Sequence, residues 1–298
     1  MSDVSLAAPD NTLAPPAAAK PARNKLRWPW APLLLLAPIF VFGLFGSLLF
    51  PHDPAAADFS NALLPPAWMP EGNWSYVLGT DALGRDLLSR IMAGARVSLL
   101  VAAVGVLGAS LIGVPLGLLA GYAGGWVDNI IMRIADVKMS IPAVLLIILI
   151  GSALGGGLNT ILISIVIVFW ANYARVIRGE ALVLRDRPYV ALARVANCSH
   201  TRILLRHLLP NVMSTAIVLV TLQFGPAIMI EAGISFLGLG IQPPASAWGL
   251  LINDGRAVLE TAWWLALFPG IAVMITVLGA NLLGDWLAQA IDPKRRGR

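Results

Sequence analysis

The residues able to do chemistry in this chain are few and widely spaced. Acids and bases alternate at Asp81, Arg85, Asp86 and Arg90, and one carboxylate, Glu231, interrupts an otherwise uncharged run. His200 and His207 lie seven positions apart in the basic stretch RPYVALARVANCSHTRILLRHLLPNV, residues 187–212. No G-x-x-x-x-G-K-[ST] occurs, so the chain has no phosphate-cradling loop of its own, and no H-E-x-x-H occurs to hold a catalytic zinc. Two histidines on one short helix at that spacing read as surface residues, not metal ligands. The sequence predicts no catalytic residue, no metal site and no cofactor. What remains open to these groups is ion pairing, hydrogen bonding and contact with other molecules. An ionised group inside a bilayer-crossing run is costly and usually faces a pathway or a partner. Glu231 is therefore a pathway candidate, with a structural hydrogen bond to a neighbouring helix as the alternative.

The elements that must position these residues are set by hydropathy. Of 298 residues, 58% are hydrophobic and only 12% charged, about half the charged share of a soluble domain. Uncharged runs of about 20 residues, the length of a membrane-spanning helix, recur along the chain. They are apolar on both faces without alternation, which excludes a β-barrel and leaves helices that satisfy their own backbone. The expected fold is an all-α polytopic membrane protein with six transmembrane helices: 31–50, 97–121, two within 139–174 reversing at Gly155-Gly156-Gly157, 212–238 and 261–284. Residues 1–30, rich in Ala and Pro, read as a disordered tail. The run 31–50 is too long for a signal-peptide core and reads as a retained anchor, despite the small residues Ala55-Ala56-Ala57 downstream. Asn172, Gln223 and Asn281 lie within spans and read as helix-to-helix hydrogen-bonding residues. The single Cys198 permits no intrachain disulfide.

Charge distribution orients the chain. With six spans and an inside amino terminus, 17 of the 21 basic residues fall on inner segments, leaving outside only Arg85, Arg90, Arg96 and Arg256. The positive-inside rule predicts that arrangement and opposes its reverse. Both termini are expected in the cytoplasm, together with the basic stretch, and the excess of cations reports topology and lipid contact rather than nucleic acid.

Within that stretch, Asp186 is placed to cap a helix that starts on Pro188 and carries Tyr189, Leu192, Ala193 and Ala196 on one face. Ser199 is placed to cap a second helix with Ile203, Leu204, Leu205 and Leu208, which Pro210 should end before the fifth span. Anchored at both ends in a membrane, such a helix-turn-helix cannot thread a DNA groove. On the outer side, local salt bridges and a helix capped by Thr80 or Asp81 are expected in residues 79–90. That segment and the loop 241–260 with Pro243, Pro244 and Trp248 are the surfaces open to an external protein, which makes Asp81, Arg85, Asp86 and Trp248 the contact candidates.

Ordered motifs then point to a family. Tyr189-Val190, small residues, a turn, a second helix and Leu209-Pro210-Asn211 resemble the cytoplasmic coupling loop, the "EAA" loop, of bacterial ABC-importer permeases. LGTDALGRDLLSR, GARVSLL, AGYAGGWVD, EAGISFLGLGIQPP, WLALFPG and NLLGDWL follow in the order expected of the dipeptide, oligopeptide and nickel branch. Specifically, they are similar to its C-type permease subunit over residues 31–293. This resemblance implies a type I importer architecture. An anchor (31–50) and a periplasmic loop leading into the bundle (51–96) would precede a five-helix core (97–288) holding the coupling loop (178–211), with a basic tail (289–298) after it. It further implies a second homologous permease subunit, cytoplasmic ATP-binding subunits, a periplasmic substrate-binding protein and residence in the bacterial inner membrane. Tyr189, Val190, Ala191, Leu192, Ala193, Arg194, Asn197 and Pro210 would be the ATPase-coupling residues. The substrate implied is a di- or oligopeptide, with nickel, glutathione or another small solute as alternatives. An ion-gradient-driven carrier is the reading from a different class, and it would need more intramembrane ionisable residues than Glu231 alone.

The loop departs from the family pattern at two places. Ala191-Leu192-Ala193 stands where Glu-Ala-Ala is usual, removing an acid from the surface where the ATPase docks. Asn197 replaces the turn glycine, and after Gly it is Asn that best tolerates a left-handed backbone.

Overall fold

The structure, a computed structural model, describes residues 28–291; of the expected tails 1–30 and 289–298, residues 1–27 and 292–298 lie outside the described residues, while 289–291 belong to the last helix, Trp264–Ile291. Helices dominate, with no named strand among the described residues and a single isolated bridge between Thr80 and Asp86. Among the described residues, five helices are long and apolar enough to cross a membrane: Trp30–Leu49, Leu87–Ala123, Leu158–Arg185, His200–Phe236 and Trp264–Ile291.

The first of these, α1 (Trp30–Leu49), buries Pro32, Leu36, Ile39, Gly43 and Gly46 at alternating spacings of three and four, leaving Leu34, Leu44 and Leu48 exposed. That stripe packs on α2 and on the last helix: Gly43 faces Leu99 and the Ala95 carbonyl, while Leu36 meets Gly279. A connecting segment with a 3-10 turn at Phe59–Asn61 leads into α2 (Leu87–Ala123), which starts ten residues earlier than the expected span. The cap is Asp86, whose Oδ2 accepts from Ser89 N at 3.0 Å and Ser89 Oγ at 2.5 Å, not Thr80 or Asp81.

The expected pair of spans in 139–174 is resolved differently. Helix α3 (Gly125–Ser140) and α4 (Ala143–Leu154) meet at a 91° bend, so the sixth span exists only if this broken pair is counted as one. The 12 residues of α4 reach about 18 Å, too short to cross alone. Pro142 is the cause: the residue before a proline is pushed out of the helical region, and Ile141 is extended at φ −89°, ψ 125°. The reversal at the three glycines is as expected, with Gly155 and Gly157 at φ +78° and +123°. Helix α5 (Leu158–Arg185) then returns antiparallel to α3, tied to it by Arg178–Asp128 and Arg175–Asp136 ion pairs.

At the heart of the bundle α2 lies against α5 with almost nothing between the backbones. Gly113, Gly117 and Gly121, four apart on one face of α2, sit against Trp170, Ala174 and the Arg178–Ala181 turn. Short α6 (Pro188–Val195) and α7 (His200–Ile203) follow, then α8 (Leu209–Phe236), α9 (Trp248–Arg256) within the 241–260 loop, and α10 (Trp264–Ile291). Pro210 does not end the second helix of the basic stretch. A π-helical stretch at Leu204–Leu208 joins α7 to α8, with Leu209 N–H bonded to the Leu204 carbonyl. The wider turn carries the helix through a residue that has no N–H to give.

Candidate functional site

The basic stretch forms a small projecting unit at one end of the bundle. Asp186 closes α5 and caps nothing; Arg187 precedes α6 without a side-chain cap bond, and Pro188 opens α6 as its spacing implied. The end of α6 is a Schellman turn: Asn197 N–H bonds the Arg194 carbonyl and Cys198 N–H the Ala193 carbonyl, each at 3.0 Å. Asn197 has φ +55°, the left-handed conformation its substitution for glycine called for. Asn197→Gly should therefore be close to neutral, while Asn197→Val should lower stability by about 1–2 kcal/mol, read as a shift of the thermal unfolding midpoint in detergent. Ser199 caps α7, accepting from Arg202 N at 3.3 Å.

Burial divides α6 into two faces. Val190 and Ala193 are buried and fix the helix to the bundle, as do Ile203 and Leu208 beyond the turn. Tyr189, Leu192 and Val195 are 38%, 68% and 85% exposed, an apolar ridge at i, i+3, i+6 left open by the described residues. Ala191 and Arg194 flank it in solvent, so the missing acid is missing from an open surface. Of the four residues read from the sequence as one face, Tyr189, Leu192 and Ala196 are exposed and Ala193 is buried against the bundle.

One tether had no sequence signal. Tyr122, at the end of α2, meets His200 with its Oη 2.8 Å from Nδ1, and the Arg194 guanidinium lies 5.4 Å over the Tyr122 ring. His200 is thus a contact between α7 and α2 across 78 positions, not a solitary surface residue.

At the opposite end, Asp81 is the hub of an ionic cluster. Its carboxylate accepts from Leu83 N at 2.8 Å, Arg85 N at 3.0 Å and Arg85 Nε at 2.7 Å, and also from Arg90 Nη1. Arg90, whose side chain is 1% exposed, reaches on to Asp254 of α9 at 3.5 Å. Burial pushes the Asp254 carboxyl above its ordinary range, with Arg90 pulling it part of the way back. Thr80 is held between the Asn61 carbonyl and Leu64 N, and Trp264 Nε1 donates to its carbonyl at 3.3 Å.

Three of the four contact candidates at this end are therefore interior. Asp81 and Asp86 are buried as pairing and capping groups. Trp248 is wholly buried, its Nε1 donating to the Ile91 carbonyl at 2.9 Å. Their burial corrects the expectation of an exposed surface: an indole with its N–H satisfied is a stronger anchor inside than outside. Only Arg85 stays part-exposed, at the rim of an open cleft of about 800 Å³ with Asn253, Asp254 and Arg256.

Glu231 of α8 is fully buried, with both oxygens occupied. Ser98 of α2 donates to Oε2 at 2.7 Å and Ser235 to Oε1 at 2.9 Å. The geometry is that of a bridge between α8 and α2, 133 positions apart. Among the described residues no three His, Cys, Asp or Glu side chains gather as a metal site.

Comparison with known proteins accounts for this arrangement. Residues 113–297 match the family described as the binding-protein-dependent transport system inner membrane component. The chain is 40% identical to the di/tripeptide transport system permease protein DppC of Pseudomonas aeruginosa, over 88% of its own length and 86% of that protein's. It is 36% identical to the oligopeptide transport system permease protein OppC of Bacillus subtilis, with 89% and 85% covered. Against the glutathione transport system permease protein GsiD of Pectobacterium atrosepticum it is 43% identical, with 73% and 72% covered. Among solved structures, a chain of the MetNI methionine ABC transporter, in an inward-facing form, superposes with a TM-score of 0.55 at 18% identity, covering 69% of this chain and 96% of that one. At that identity the likeness speaks for the fold. A multi-pass bundle with a projecting helix between α5 and α8, matched in sequence across most of its length, belongs to the inner-membrane permease family of binding-protein-dependent ABC importers, in the C-type branch that includes DppC and OppC.

Proposed function

We propose that this chain forms the path for di- or oligopeptides together with a second, homologous permease subunit, receives them from a periplasmic binding protein, and is driven by separate cytoplasmic ATP-binding subunits. It performs no covalent chemistry itself. The peptide reading is supported by the substrates in the names of its DppC and OppC relatives; glutathione, from the GsiD name, is the comparison substrate. Both termini and α6 lie on the cytoplasmic side in this reading, and the Asp81 cluster faces the periplasm. Glu231, with its carboxylate spent on Ser98 and Ser235, locks α8 to α2 rather than meeting substrate.

The observation that carries the mechanical part is the Tyr189–Leu192–Val195 ridge: apolar, exposed, and held on a helix whose other face is anchored by Val190 and Ala193. Three large apolar side chains in a row on a polar loop suit a groove on another protein. Closure of the ATP-binding subunits would displace α6, and two rigid connections would carry that displacement inward. One is the helix His200–Phe236, unbroken through Pro210; the other is the Tyr122–His200 contact with α2. The bundle then exchanges between inward-open and outward-open states.

The test uses the complete transporter in proteoliposomes. Leu192→Asp with Val195→Asp should leave the protein inserted, since both residues are solvent-exposed, and should reduce ATP-dependent dipeptide uptake by at least about 100-fold, because charges buried in an interface are not compensated. Uptake at the wild-type rate would overturn the docking assignment. Uptake driven by a proton or sodium gradient without ATP would overturn the importer mechanism itself.

A further inference from the structure

Lys138 closes α3 just before the break at Pro142, and the fold carries it to an unexpected depth. Because α3 runs antiparallel to α5, Asp128 pairs with Arg178, Asp136 with Arg175, and Lys138 Nζ donates to the Val168 carbonyl. Val168 lies near the middle of the uncharged part of α5, residues 158–174. At 1.5 Å per residue its carbonyl is about 25 Å along the helix axis from Arg185. A cation counted in the sequence among the inner-loop basic residues thus sits at the level of the apolar centre of a spanning helix.

Its surroundings leave that charge uncompensated. An ammonium has three donors, and among the described residues the one acceptor it reaches is a neutral carbonyl. Asp136 is taken by Arg175, and among the described residues no carboxylate forms an ion pair with Lys138. The side chain is half-buried, so one side of it is open. That side opens on a shallow, open cleft of about 480 Å³ between the α3–α4 break, α5 and α8, lined by Lys138, Ile141, Phe169, Asn172, Pro226 and Met229. The volume lies within the ~300–1,000 Å³ typical of small-molecule sites. Hydrocarbon cannot solvate an ammonium at this depth. The open side therefore meets water or a polar occupant, as a translocation path does and a lipid face does not.

We propose that this cavity is a subsite on the translocation path, in which Lys138 takes the terminal carboxylate of a transported peptide. Asn172 supplies a second polar contact, and Phe169, Pro226 and Met229 receive an apolar side chain. A cationic group with one neutral acceptor, beside a largely apolar cleft, is complementary to a small anion with a hydrophobic body. The inference rests on the peptide reading above and names where on this chain the peptide's charge is met.

The test compares dileucine with dileucine amide, each delivered as a preloaded complex with the binding protein to the complete transporter in proteoliposomes. The same binding protein serves wild type and variant, so its own preference cancels in the ratio. Lys138→Met should lower the maximal uptake rate of the free acid about 10-fold or more and leave that of the amide nearly unchanged, as expected for loss of one charge-assisted contact. Lys138→Arg should restore most of the difference, and ATP hydrolysis stimulated by the binding protein should persist in both variants. Should the methionine variant fail to assemble, Lys138→Gln carries the same comparison. An equal loss for both peptides would overturn the proposal and point to an acid of the second permease subunit as the partner of Lys138. Unchanged rates for both would overturn it as well. If the wild-type transporter moves neither peptide, the peptide reading itself fails, which is distinct from a failure of the subsite.

Discussion

Gly117→Leu is expected to leave little or no folded protein in the membrane. A Cβ at this position would stand 2.3 Å from the Ala174 carbonyl oxygen and 2.9 Å from the Ala174 Cα, and both are backbone of α5. No side chain can rotate aside to make room. Gly113 and Gly121 repeat the contact one turn to either side, at 2.3 Å from the Trp170 oxygen and 2.7 Å from the Arg178 oxygen. Any residue larger than glycine must therefore separate the two helices along three turns. Overpacking commonly costs about 1–3 kcal/mol when side chains can adjust, and the cost here should exceed that range. Gly179→Ala on α5, whose Cβ would meet nothing within 4 Å, is the control. It should be neutral or raise stability by up to about 1 kcal/mol, because alanine loses less backbone entropy in a helix. Yield of monodisperse protein and the thermal midpoint in detergent decide the matter; wild-type values for Gly117→Leu would show that the helices do not meet backbone to backbone.

Arg90→Met should destabilise the bundle by about 1–2 kcal/mol, below the cost of breaking a fully buried pair, because the carboxylate left behind, Asp254, is 39% exposed and partly screened by solvent. Methionine preserves much of the aliphatic volume, so the loss would report charge rather than a cavity. Asp81 would keep Arg85 as a partner, but Asp254 would lose the cation that offsets its burial. The pH dependence follows from the direction of that shift. A carboxyl whose folded value is raised contributes stability in its protonated form, and that contribution fades as pH rises through the folded value. Removing Arg90 raises Asp254 further. The deficit of the variant should thus be largest at neutral pH and shrink on acidification into the carboxylate range, measured as the difference in unfolding midpoint between the two proteins at each pH. A deficit that is flat with pH, or that grows in acid, would remove the buried charge as its cause. The cluster joins the segment before α2 to α9, so the same variant should loosen the cleft beside Asp254 before it affects the α6 end.

Much of the projecting unit at 187–212 could be read from residues a few positions apart. Pro188 as the first helical residue, Ser199 as a cap and Asn197 in a left-handed turn are all local backbone problems, solved by the side chain at that position or three residues away. The reversal at the three glycines is of the same kind, whereas it took the packed structure to show that Gly113, Gly117 and Gly121 receive α5. Local signals failed where a second hydrogen-bonding pattern was available. Pro210 reads as a stop until a π turn removes the need for its N–H, and Asp186 reads as a cap although the chain is still leaving α5. Pro142 was the reverse case, a visible helix breaker near the start of an uncharged run, 139–174, that read as two whole spans.

What the sequence determined by itself is the class of structure: uncharged runs of bilayer length can satisfy their backbone only as helices, and a polar segment between two of them must project into water. Ordered motifs then identified the permease family. What only the tertiary structure decided is the state of each polar group within that frame. Whether Trp248 is surface or anchor, whether Glu231 is solvated or bonded to Ser98, and how deep Lys138 lies depend on partners 30 to 157 positions away. Hydropathy prices a residue as if it stood alone in lipid, whereas in the folded bundle its cost is set by the donor, acceptor or counter-charge that packing brings to it.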